Sequence, residues 1–148
     1  MKTFQKILII LLISSAWSSP AQESLMNQAL VSPEVGEDGR VTFRLKAPDV
    51  KEVRLTGDWM PQEGFGRAAV AMEKGADSVW TYTTEPLPSE LYWYHFLVDG
   101  VRTLDPSNAH MIRDVASVFN IFIVPGGQGD LYSVKSVPHG TVHKRWYE

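Results

Sequence analysis

The chain has 148 residues, with 14 Lys and Arg against 17 Asp and Glu, a formal net charge of −3, and no cysteine. The lack of cysteine excludes disulfides, thiolate metal sites and a lipid anchor on an N-terminal Cys. An acidic balance with no basic run interleaved with aromatics argues against a nucleic-acid binder.

Residues 1–21 read as a secretory signal peptide, with a buried N-terminal strand as the alternative. Lys2 and Lys6 precede the apolar run from Ile7 to Ile13, which is too short to span a bilayer. Ser19-Pro20-Ala21 offers a small-x-small cleavage site before Gln22, and Ser14-Ser15-Ala16 is a second candidate. Removing this segment leaves 127 residues carrying 12 basic and 17 acidic side chains, a net of −5. That length supports one sandwich core and not two domains. An exported protein without cysteine is expected to be secreted, periplasmic or on the surface of a bacterial cell.

Residues 22–34 are polar and weakly patterned, a flexible lead-in, and turn formers fill 35–39. Strands are expected at 41–45 and 53–57, separated by Ala47-Pro48-Asp49. Residues 58–66 form a loop holding Trp59. Short strands follow at 68–72 and 79–83, with a turn at 75–77. Residues 86–90 then turn into the most informative stretch, from Leu91 to Gly100. Period-2 alternation there sets Tyr92, Tyr94, Phe96 and Val98 on one face and Trp93, His95 and Leu97 on the other. Asp99-Gly100 is a strong hairpin signal, and 101–104 supply the returning strand. Residues 105–110 form a Pro-interrupted loop. Residues 117–124 are the last strand, with Asn120 on the opposite face from Phe119 and Ile121. Some seven short strands with frequent turns predict an all-β, immunoglobulin-like β-sandwich over residues 35–124.

Composition changes at Pro125-Gly126-Gly127, so 125–148 read as a linker and the opening strand of a further domain, cut off mid-pattern. A strand pairing back onto the same sandwich is the alternative. Trp146 belongs to this tail and is expected to pack on whatever follows.

No catalytic constellation emerges. There is no Gly-x-Ser-x-Gly, His-Glu-x-x-His or phosphate-cradling Gly-x-x-x-x-Gly-Lys. His139 and His143 would stand about 13 Å apart on a strand, too far to share a metal. Asp58, Asp99 and Asp105 lie beside turns, where Asp accepts from backbone N–H groups. The aromatics are the better candidates. Sugar rings present flat apolar faces with polar edges, which suits an exposed Trp flanked by hydrogen-bonding groups. Trp59 is either a ligand platform or a loop-packing core residue. Trp93 is either a platform or a contact for a partner domain, and Trp80 is expected in the core.

Leu55-Thr56-Gly57-Asp58-Trp59, Tyr94-His95-Phe96-Leu97-Val98-Asp99-Gly100, Asp105-Pro106-Ser107 and Asn120 together resemble the family 48 carbohydrate-binding module, an early-set immunoglobulin-like domain. The resemblance covers about residues 35–124. It implies a sugar platform at Trp59 and a hydrogen-bonding Asn at Asn120. It places His95 where glycogen-binding members carry Lys, and Arg102 where they carry a second Trp. The tail, with Asp130-Leu131-Tyr132-Ser133 and Val137-Pro138-His139-Gly140-Thr141-Val142, resembles the junction in exported feruloyl and acetyl xylan esterases of the enterochelin-esterase-like type. That resemblance implies a non-catalytic accessory domain without a cofactor, packed on a C-terminal serine-esterase domain of the same polypeptide and in contact with plant cell-wall polysaccharide. The alternatives are an α-glucan-binding module of a glycoside hydrolase and a purely structural domain.

Overall fold

The computed structural model describes residues 30–138 and 140–146. The signal-peptide segment and His139, hence the His139–His143 pair, lie outside the described residues. The fold is an all-β sandwich. One sheet runs in the order β1 (Glu34–Val35), β2 (Val41–Lys46), β8 (Val79–Thr83), β7 (Glu73–Lys74). The other runs β11 (Met111–Asp114), β12 (Ser117–Ile123), β9 (Leu91–Val98), β3 (Val53–Gly57), β6 (Ala69–Ala71). A further strand, β10 (Val101–Thr103), also pairs with β9, and a small hairpin joins β4 (Gln62–Glu63) to β5 (Gly66–Arg67). All pairings are antiparallel.

Alternation explains the layers. Val41, Phe43 and Leu45 of β2 and Trp80 of β8 face inward from one sheet, and Val53, Leu55, Tyr92, Tyr94, Phe96 and Phe122 from the other. The ring of Phe43 bridges them, 4.8 Å from Tyr94 and 5.4 Å from Phe122, both edge-on, the geometry the ring quadrupoles favour. Trp80 closes one side and donates its Nε1–H to the Ala47 carbonyl at 2.9 Å. As the alternation predicts, β9 shows one fully packed face and one half-buried face.

The Asp99-Gly100 turn forms as expected. Both residues have positive φ, 46° and 83°, the type I′ geometry that matches strand twist. It sets Val101 opposite Val98 and Arg102 opposite Leu97. Asp99 Oδ1 accepts from the backbone N–H groups of Lys51 and Glu52. Asp58 and Asp105 likewise accept from backbone, at Trp93 and Ser107.

Besides the two-residue strands β1 and β7, which the sequence reading lacked, four features differ from it. First, β11 follows the loop at 105–110. Its residues are exposed throughout, so burial leaves no period to read. Second, β4 and β5 lie inside and just beyond the expected loop at 58–66, each too short to show alternation. Third, Ser32, placed in the lead-in, is buried, and its hydroxyl donates to Asp105 Oδ2 at 2.6 Å. Fourth, β12 turns the face of Asn120, expected to reach a sugar, inward. Asn120, Phe122 and Val124 point into the sandwich, and Phe119, Ile121 and Ile123 stay half-buried on its outer side.

Candidate functional site

The inner face of β9 is occupied by the core, so its solvent-facing chemistry lies on the other side. Register sets His95 beside Thr56 of β3, and Trp93 beside Ile121 of β12. The rings of Trp93 and His95 lie nearly parallel, 6.1 Å apart at 8°. Phe119 from β12 completes a three-ring floor, 4.5 Å from Trp93 and 5.9 Å from His95. Arg102 lies over this floor, its guanidinium carbon 4.1 Å from the Phe119 centroid. It is steadied by donating to Ser117 Oγ at 3.2 Å and to the Val118 carbonyl at 3.0 Å.

The β4–β5 hairpin forms the far wall. Gly64 turns it with φ of 59°, and the Ala68 N–H donates to the Pro61 carbonyl at 2.8 Å. The Arg67 guanidinium donates to the Met60 carbonyl at 3.1 Å. The Thr56 hydroxyl ties β3 to the strand's return by donating to the Ala68 carbonyl at 2.8 Å. Phe65 at the hairpin tip is fully exposed. The floor and this wall enclose an open groove of about 540 Å³. Its aromatic floor, edged by amide, hydroxyl and guanidinium groups, suits a ring with apolar faces and polar edges.

Burial, and then the positive charge of Arg102, lower the His95 pKa to about 4. The ring is therefore neutral at physiological pH, and its buried Nδ1 has no hydrogen-bond partner. The sign of the pH effect follows. Between about pH 6.5 and 4 the unfolded chain takes up a proton at His95 that the folded chain refuses, so this residue's share of stability is lost as pH falls through that window. An NMR titration of the imidazole is expected to find its midpoint well below 6, and His95→Gln is expected to flatten the decline in stability across that window. A midpoint near 6.5 would refute the burial argument.

The sequence candidates divide into two groups. Trp93, His95 and Arg102 meet in the groove. Trp59 and Asn120 do not: Asn120 lies inside the sandwich, and Trp59 stands half-buried beside a separate groove of about 380 Å³ that it lines with Met60, Pro61, Tyr82 and Glu85. The Trp59 indole packs half-buried against the core, parallel to Phe43 at 5.6 Å and edge-on to Tyr92 at 5.9 Å and Phe122 at 5.6 Å. Gly57 makes this possible, because a Cβ there would collide with the Trp59 ring. Asn120 is fully buried. Its Oδ1 accepts from the Asp105 N–H at 2.7 Å, and its Nδ2 donates to the carbonyls of Asn108 and Asp105 at 2.9 and 3.5 Å. Nothing of its amide remains to reach a sugar. Sequence reasoning missed Phe119, Phe65, Gln62 and Arg67. The signal for Phe119 was available, since a strand partner of β9 with a large ring of the right parity must stand beside Trp93 or His95.

No family model matches the chain. Over 115 residues, 76% of its length, it is 30% identical to an endo-1,4-beta-xylanase/feruloyl esterase of Xylanibacter ruminicola. The chain spans 15% of the length of that protein. Among solved structures, the multi-modular glycogen-degrading pneumococcal virulence factor SpuA aligns with 61% of the chain and 10% of its own, at 21% identity and a TM-score of 0.46. The apo pullulanase of Paenibacillus barengoltzii aligns with 69% of the chain and 17% of its own, at 18% identity and a TM-score of 0.44.

Proposed function

We propose that this chain is a non-catalytic accessory module of an exported polysaccharide-directed esterase, of the family 48 carbohydrate-binding type. It holds a plant cell-wall glycan against the groove on the outer face of β9. The observation that carries this reading is the three-ring floor of Trp93, His95 and Phe119. These large rings stay half-exposed on the solvent side of a sheet whose other side is already packed. A sheet face that only needed to be soluble would carry polar side chains there. The similarity to a xylanase/feruloyl esterase favours a xylan-type ligand. In this role the chain supplies a platform, and ester hydrolysis belongs to a separate domain of the same polypeptide.

Affinity electrophoresis of the purified chain through gels holding arabinoxylan, glycogen or no polysaccharide tests this. Arabinoxylan is expected to retard the chain, and Trp93→Ala is expected to abolish the retardation. Stacking of one aromatic residue on a sugar, at about 1.5 kcal/mol, is worth roughly tenfold in affinity. Retardation by glycogen alone would move the assignment to an α-glucan module. Retardation by neither polymer would leave a packing role only.

A further inference from the structure

The charge lining the groove runs against that of the whole chain. Arg67 enters from the hairpin wall and Arg102 from β10, and no carboxylate lines the space between them. The ion pairs found among the described residues involve Arg40 and Arg44, not these two. Asp58 lies near enough to Arg67 for the guanidinium to pull on its carboxyl, but burial wins and its pKa is raised. It also sits outside the groove, with Oδ1 accepting from the Trp93 N–H.

Each guanidinium has donors to spare. Of five N–H groups on each, Arg102 uses one toward Ser117 and one toward Val118, and Arg67 uses one toward Met60. These bonds fix the guanidinium planes without neutralising them. His95 lines the same groove, with its Nδ1 buried. A chain with net charge −3 thus lines one groove with two arginines and no carboxylate.

We propose that the groove selects a glycan bearing a carboxylate, a uronate-substituted chain rather than a neutral one. A sugar ring packs on Trp93 beside Phe119, whose face Arg102 covers, and the carboxylate lies between Arg67 and Arg102. Arginine suits this task because its fork matches the two oxygens of a carboxylate. This inference rests on the glycan-binding reading and adds the charge of the ligand.

Glucuronoxylan and the same polymer after its uronates are reduced to neutral sugars are the probes, with binding to the unaltered chain measured by isothermal titration at low and high salt. The native polymer is expected to bind on the order of tenfold tighter at low salt, a partly exposed charge pair being worth about one such factor. The preference is expected to shrink in 0.5 M salt, where screening acts within a few ångströms. In the doubly substituted Arg67→Gln, Arg102→Gln chain the preference should vanish, while affinity for the reduced polymer persists. Equal affinity for both polymers, or a preference that survives the double substitution, would overturn the carboxylate assignment and leave the glycan reading standing. If neither polymer binds, both fall together.

Discussion

Replacing Asn120 by alanine is expected to destabilise the domain by about 3–5 kcal/mol, a large share of the roughly 5–15 kcal/mol typical of a folded domain. The amide stands where the 105–110 loop crosses the end of the sheet. It satisfies the Asp105 N–H and the Asn108 carbonyl, both out of reach of water. Each buried group left without a partner costs about 1–3 kcal/mol, to which the lost side-chain volume adds. The damage spreads because its partners are themselves linked. Asp105 Oδ2 accepts from the hydroxyls of Tyr94 and Ser32, and Asn108 Nδ2 donates to the Tyr94 oxygen and to the Ile121 carbonyl. Asn120→Asp keeps the shape but replaces two donors with a charge, so it should be no better. Urea denaturation decides the matter, and a loss under about 1 kcal/mol for Asn120→Ala would show that the network is dispensable.

Asn120 also shows where the sequence stops being legible. Alternation assigns a face to a residue only relative to its neighbours, and it takes the apolar set as the inner one. In β9 that rule works, because Tyr92, Tyr94 and Phe96 outweigh the opposite face and the Asp-Gly turn fixes the register. In β12 both faces are apolar enough for the core, and the deciding fact is an internal hydrogen-bond network contributed by a loop. No count of hydrophobic residues along 117–124 contains it. The groove was half legible for a similar reason. Trp93 and His95 belong to one strand, and the turn carries Arg102 to the neighbouring one, so local pattern brings these three together. The wall from 62–67 comes from a distant part of the chain whose strands are two residues long. Only the tertiary fold sets it beside β9.

Trp59 and Trp93 are expected to respond to alanine in opposite ways. Trp59→Ala should cost about 3 kcal/mol of stability, the low end of the range for a large core ring, because the half-buried indole packs on Phe43, Tyr92 and Phe122 at once. Its binding to polysaccharide, measured well below the lowered melting temperature, should match that of the unaltered chain, since Trp59 lines a different groove from the one on the outer face of β9. Trp93→Ala should leave stability within about 1 kcal/mol, its ring being half-exposed on the outer face, and should lose binding. Gly57→Ala offers a check that leaves both rings chemically intact. The added methyl occupies the space of the Trp59 ring, and overpacking of this kind costs about 1–3 kcal/mol. A Gly57→Ala chain that is less stable yet still retarded by arabinoxylan would place Trp59 in the core. Loss of binding in Trp59→Ala at unchanged stability would return Trp59 to the ligand site and remove the basis for the groove on β9. The contrast matters because both tryptophans lie near the same strand, and binding data alone, without stability beside them, would not tell a displaced core from a missing platform.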